Sequence, residues 1–230
     1  MRRTALRSSV PRHPELRLLF PISGLAAFFI LLAAVACSQA EPLKGTALNP
    51  PRPASPFQLS DQDSSLISLS EQRGRVVLLT FLYTSCADIC PVVAGQVKKA
   101  YELLEEDAER VSVLIVSVDP ARDTREAVTA YLDELGMRGH WRYLVGTEAE
   151  LATVWRDYYV AQARDGQESA NTDGTNDGAV ESLAQEIAAY TVTHSAPVYV
   201  IDEEGLMRSV FTLPIEPADL AHDVRVVLGK

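Results

Sequence analysis

Two apolar runs, Val76 to Tyr83 and Val111 to Val118, carry few polar residues and do not alternate as a half-exposed strand would. Strands covered on both faces read this way, so both are placed in the middle of a sheet. Between them, after Pro91, apolar residues fall at Val93, Val97, Ala100, Leu104 and Ala108, steps of three and four that mark one helical face. Lys98, Lys99, Glu102, Glu105 and Glu106 take the other face. Arg122 to Leu135 predicts a second helix, with Asp123 or Thr124 as its cap and Gly136 as its stop. Tyr143-Leu144-Val145 reads as a short strand and Glu148 to Tyr159 as a helix. Val198 to Ile201 reads as a strand that turns at Asp202-Glu203-Glu204-Gly205 into a hairpin partner, Leu206 to Thr212. Pro217 opens the last helix, with Leu220, Val224, Val227 and Leu228 facing inward. Ahead of the first run, Phe57-Gln58-Leu59 and Leu66 to Leu69 alternate weakly and predict short strands joined by the polar Asp61 to Ser65. The pattern describes an α/β domain, a central mixed sheet flanked by helices.

The N-terminal part is different. Residues 1 to 17 are basic and Leu18 to Ala36 is apolar apart from Pro21, Ser23 and Gly24, the pattern of an export signal or membrane anchor with its positive end inside. The stretch closes on Leu32-Ala33-Ala34-Val35-Ala36-Cys37-Ser38, which resembles a bacterial lipobox, with Cys37 as the lipidated residue and Ala34 where leucine is more usual. A run of about 20 apolar residues also suffices to span a bilayer, so an uncleaved anchor is the alternative. Either reading tethers the body to a membrane on its periplasmic or extracytoplasmic side. Ser38 to Pro56 holds five prolines and reads as a linker, with the folded domain running from residue 57 to 230. Ala161 to Ala179 is polar and glycine-containing, and reads as a solvated, mobile insertion. The formal charge of −10 is unevenly spread: the first 37 residues carry five arginines against Glu15, leaving 16 basic and 30 acidic residues, net −14, in the rest. So acidic a body repels phosphate backbones, which argues against nucleic acid and for soluble, cationic or metal partners.

Cysteine occurs three times, at Cys37, Cys86 and Cys90, too few for a disulfide scaffold. Cys86-Ala87-Asp88-Ile89-Cys90-Pro91 follows directly on the first apolar run. Pro91 has no N–H and must lie in the first turn of a helix, which puts Cys90 at the helix N-terminus and Cys86 in the loop before it. The unpaired N–H groups and dipole there are expected to lower the pKa of the thiol. A cysteine pair between the first central strand and its helix is where the thioredoxin fold keeps its redox site. A structural zinc site normally needs four protein ligands, and no second cysteine pair exists. A disulfide closing so short a loop adds little stability, so its value would be reactivity. Three intervening residues leave a bite wide enough for an ion as well as a disulfide. Of the four histidines, His13 lies in the leader, His222 on the last helix and His140 beside Trp141 in a turn. His194 stands before a strand expected to run beside the cysteine strand, and it is the candidate third ligand. Two thiolates and one imidazole make a trigonal set that Cu(I) accepts. Asp119 ends the second apolar run, on the side of a sheet where sites gather. It is expected either to cap the next helix or to orient His194 or a cysteine.

Three motifs in order, Phe81 to Pro91, Val116-Ser117-Val118-Asp119-Pro120-Ala121-Arg122-Asp123-Thr124, and Tyr190-Thr191-Val192-Thr193-His194-Ser195, together resemble the Sco/SenC family from about Phe57 to the C-terminus. The resemblance implies a thioredoxin-like fold, a membrane tether, and delivery of copper, as Cu(I) or Cu(II) and one ion per domain, to the dinuclear copper centre of cytochrome c oxidase subunit II or another copper protein. Cys86, Cys90 and His194 match the family's copper ligands, and Asp119 its acidic residue after the second central strand. Ala87 replaces a common proline, Thr193 an aspartate often found before the histidine, and the insertion is longer than typical. The alternative function is a thiol–disulfide oxidoreductase that uses Cys86 and Cys90 alone to reduce a target's cysteines. A thiol peroxidase, with Thr84 as the activating neighbour, lacks the expected flanking pattern.

Overall fold

The computed structural model describes residues 41–160 and 196–229 in full, and Gln162–Arg164 and Val192–His194 by backbone alone. The leader, Cys37 and most of the Ala161–Ala179 insertion lie outside the described residues. The chain runs through β1 (Thr46–Pro53), β2 (Gln58–Asp61), β3 (Leu66–Ser68), β4 (Val76–Leu82), α1 (Ile89–Leu103), β5 (Val111–Ser117), α2 (Arg125–Leu135), β6 (Trp141–Val145), α3 (Glu148–Asp157), β7 (Gln162–Arg164), β8 (Val192–His194), β9 (Val198–Ile201), β10 (Leu206–Phe211) and α4 (Pro217–Val227). Eight strands form one sheet in the order β1-β10-β9-β4-β5-β6-β2-β3, while β7 and β8 pair separately.

All seven residues of β4 are buried, and β5 is buried apart from the half-buried Ser112. The two apolar runs therefore lie side by side, parallel and in register from Val76 opposite Val111 to Leu82 opposite Ser117. Burying a large aliphatic or aromatic side chain contributes about 1.5–3 kcal/mol, so this pair anchors the domain. β6 continues the parallel set beyond β5, and β9 flanks β4 antiparallel on the other side. Residues opposite each other in register share a face, so Thr80, Ile115 and Tyr143 point one way and Phe81 the other. Tyr101 of α1 and Tyr131 of α2 pack edge-on against Trp141 and Tyr143 of β6, which puts both helices on the Tyr143 face. Tyr158, just past α3, packs on Phe81 and Tyr199 and so covers the opposite face. The result is the thioredoxin-like arrangement: a central mixed sheet between helices.

Local signals set the helix ends. Thr124 caps α2 by accepting from the Ala127 N–H, and Gly136 ends it at a left-handed φ of 66°. Thr147 and Glu150 form a capping box on α3. Among the described residues no helix is long and apolar enough to cross a membrane.

Two boundaries are corrected. Residues 46–53, assigned to the linker on their prolines, form β1, antiparallel to β10 with a register shift between Ala47 and Arg52. Proline lacks a donor for a ladder on both sides, but β1 is an edge strand and needs only one. Three residues at the start of the insertion, Gln162–Arg164, are strand β7 rather than loop. A buried carboxylate secures the chain just before β1: Asp223 of α4 accepts from the N–H of Lys44 (2.6 Å), the N–H of Gly45 (3.1 Å) and the hydroxyl of Ser209 (2.7 Å). Asp223→Ala strands these donors and is expected to lower the unfolding free energy by about 1–3 kcal/mol in denaturant titration. Amide exchange should rise in β1 while β4 stays protected; a β1 that exchanges as in the wild type would contradict the tether.

Candidate functional site

β4 ends at Leu82, and the chain turns through Tyr83-Thr84-Ser85 to Cys86 before α1 begins at Ile89. The turn is closed by the Cys86 N–H donating to the Tyr83 carbonyl at 3.3 Å. Asp88 is the residue before the helix, but its side chain caps nothing. The sulfur of Cys86 takes that place, accepting from the Cys90 N–H at 3.3 Å. Both cysteines are free thiols, Cys86 almost covered and Cys90 fully buried.

The sequence placed Cys90 at a helix N-terminus and expected a lowered thiol pKa there. Its position is as expected, but the shift has the opposite sign. Burial pushes the Cys90 thiol well up, the hydrogen bond with Cys86 adds to this, and the backbone of Tyr83 opposes it only in part. Loss of water outweighs the helix end for a sulfur this deep. The amide at the helix start serves Cys86 instead, so the two sulfurs are unlike: one neutral and buried, the other at the rim and supplied with a donor.

One carboxylate fixes the loop. Asp123, 3 % exposed, accepts on Oδ1 from the Thr84 N–H (2.8 Å) and the Thr84 hydroxyl (2.7 Å). Its Oδ2 accepts from the Ser117 hydroxyl (2.6 Å) and the Tyr143 hydroxyl (3.3 Å). Burial pushes the Asp123 carboxyl up, and the hydrogen bonds from Ser117 and Thr84 pull it back down. The sequence offered Asp123 only as a possible helix cap, a role that Thr124 fills. Its signal was a second acidic residue four positions after Asp119, directly past a buried strand.

Asp119 is also fully buried, and it does not cap α2. Its carboxylate pairs with Arg122, whose guanidinium lies 5.5 Å above the Tyr83 ring at the root of the cysteine loop. Thr124 takes the cap, and the Asp119 carboxylate is in a salt bridge with Arg122. His194 is the last residue of β8, opposite Gln162 of β7. β9 begins at Val198, which lies opposite Thr80, near the end of β4 from which the cysteine loop departs. His194 precedes Val198 by four residues, so the chain that carries it leads into that end of the sheet. The side chain of His194 is outside the described ones, and among those described no three His, Cys, Asp or Glu groups converge as a metal cluster.

The SCO1/SenC family model matches residues 46–229, which is most of the chain and begins at the first strand. The chain belongs to the SCO1/SenC family. Among its relatives is the SCO2-like protein of Rickettsia prowazekii, 28% identical over 72% of each chain. ScoI of Bradyrhizobium japonicum, whose structure has copper bound, is 30% identical with a TM-score of 0.60, covering 76% of this chain and 98% of its own. BsSco, a member of the Sco family of cytochrome c oxidase assembly proteins in which a disulfide switch was identified, shares the fold at 18% identity and a TM-score of 0.57, covering 82% of this chain and 99% of its own.

Asp123→Ala in this Sco domain is expected to cost about 2–3 kcal/mol of unfolding free energy, because it leaves buried donors from three residues unpaired. Asp123→Asn keeps an oxygen for Thr84 and should lose less. Denaturant unfolding of the metal-free protein checks the ranking. An alanine variant as stable as wild type would mean that the carboxylate does not hold the loop.

Proposed function

We propose that this Sco protein binds one copper ion through Cys86, Cys90 and His194 and delivers it to the dinuclear copper centre of cytochrome c oxidase subunit II. The carrying observation is a pair of free thiols, held ready at the end of β4, in a family member 30% identical to a copper-bound ScoI. Two adjacent sulfurs in apolar surroundings suit a soft cation, and one imidazole completes a trigonal set for Cu(I). The entry of the His194 segment into β9 beside the cysteine end of β4 supports its role as third ligand. Asp119 acts at one remove, through Arg122 and the Tyr83 ring, on the loop that presents the sulfurs. Residues 1–37 tether the domain to a membrane, with Cys37 as the lipidated residue, and the domain faces the periplasmic side. Copper is cargo in this reading, held loosely enough by three ligands for a recipient's own thiolates and imidazoles to take it.

A second reading draws on the unequal sulfurs. Cys86 lies nearer the surface and receives the Cys90 amide, as an attacking thiol requires, and buried Cys90 stands behind it as the resolving partner. Cys86 thiolate would attack a target disulfide, Cys90 would then displace the second target thiol, and a Cys86–Cys90 disulfide would remain. Such a step prepares a recipient's cysteines for metal.

Anaerobic Cu(I) titration against a chromophoric chelator separates the readings. Wild type is expected to take up one equivalent. Cys86→Ser and Cys90→Ser should lose it, and His194→Ala should bind at least about tenfold more weakly, which corresponds to ~1.4 kcal/mol. Unchanged affinity in His194→Ala would remove the histidine from the site. A wild type that binds no copper but reduces a disulfide substrate would make the exchange reading the right one.

A further inference from the structure

A cleft of about 170 Å³ opens between α3 and the start of β2, many times the space that one water needs. Phe57, Leu59 and Tyr158 line it, with the Phe57 and Tyr158 rings edge-on at 6.1 Å and the Tyr158 hydroxyl spent on the Ser55 carbonyl (2.8 Å). Those walls are apolar, but Glu150, Thr153 and Asp157 of α3 form a polar rim. Glu150 caps α3 through one oxygen, Oε2. Asp157 pairs with its neighbour Arg156, whose Nε and Nη2 both lie 3.1 Å from Oδ1. The Arg156 side chain is 71% exposed, and surface pairs of this kind are weak enough to exchange. At the same end of α3, Tyr159 is 80% exposed. It holds the left-handed position that closes the helix, at a φ of 56°, with its N–H donating to Arg156 and that of Val160 to Trp155. Glycine is usual there because a side chain is strained, so the chain keeps an open aromatic ring beside the cleft at a cost in stability. A second cavity, of about 370 Å³, shares Leu59 and Glu150 with the first and reaches Asp123 and Thr124, beneath the cysteine loop. Gly146 keeps the passage between them open: a Cβ there would lie 3.1 Å from Leu59 and 3.2 Å from Glu150.

We propose that this cleft docks an extended segment of another protein through a lysine or arginine side chain. The aliphatic stem lies along Phe57, Leu59 and Tyr158, and the cationic head pairs with Oδ2 of Asp157 beside the Tyr159 ring. Apolar walls with a carboxylate rim match a side chain that is apolar along its stem and charged at its tip. The acidic body, net −14 beyond residue 37, draws such a segment in. The second cavity leads the rest of the segment toward the cysteine loop. Docking here needs no copper, so it stands or falls apart from the metal reading.

Fluorescence anisotropy of a labelled peptide of alternating lysine and serine, titrated with the metal-free full chain in a non-ionic detergent at low salt, tests the docking. Wild type is expected to bind it. A peptide with diaminobutyrate in place of lysine keeps the charge but shortens each stem by two methylenes, and should bind several-fold more weakly. Asp157→Asn should weaken binding of the lysine peptide about three- to fivefold, the loss of one exposed ion pair, and Asp157→Glu should restore most of it. Tyr159→Gly should melt above wild type and bind more weakly. Glu102→Gln removes the same charge from α1 and should bind as wild type does. The proposal is overturned if the lysine peptide does not bind, if wild type binds both peptides equally, or if Asp157→Asn or Tyr159→Gly binds as wild type. It is overturned equally if Glu102→Gln weakens binding as much as Asp157→Asn, since the acidic surface at large would then be the attractant.

Discussion

The loop that carries both cysteines hangs from the carboxylate of Asp123, which takes hydrogen bonds from Thr84 on one oxygen and from Ser117 and Tyr143 on the other. Ser117 closes β5, Tyr143 belongs to β6, and Thr84 opens the loop, so three parts of the chain meet at one buried group. A buried charge is tolerable only when its lone pairs are occupied, and here four donors occupy them. The sheet supplies the rigid end of this clamp. β4 and β5 are paired along their whole lengths, and their apolar side chains leave no room for the loop root to drift. Placement of the sulfurs is therefore a property of the core as much as of the loop.

Depth also decides the chemistry of the two thiols. The helix N-terminus favours an anion, but the gain is confined to the first turn and is modest, whereas desolvation of a covered sulfur is larger and of opposite sign. Cys90 shows the second effect, and its amide is spent on the Cys86 sulfur. The buried Cys90 thiol keeps its proton until something draws it off. A soft cation does this by taking the proton's place on sulfur.

Much of this was legible in the chain. The unalternating runs gave β4 and β5, the three-and-four spacing gave α1, Gly136 and Pro217 marked helix ends, and Pro91 placed Cys90 in the first turn. Those features are local, and local sequence reports them. β1 was hidden because its prolines read as linker, and only its position at the sheet edge makes them harmless. Asp123 was hidden because a carboxylate just before a helix looks like a cap, and its partners Thr84 and Tyr143 are distant in sequence. The rise in the Cys90 pKa was invisible for the same reason: burial belongs to the assembled fold. His194 was singled out by pattern, and the backbone adds that its strand leads into β9 beside the cysteine end of β4.

The central claim is that two sulfurs and one imidazole hold the metal together. X-ray absorption at the copper edge of the Cu(I)-loaded full chain tests it most directly, with His194→Ala measured alongside. Scattering from two sulfurs and one nitrogen in wild type, with the nitrogen lost in the variant, is the result predicted. A wild-type spectrum of sulfur alone, or one that the variant leaves unchanged, would contradict it.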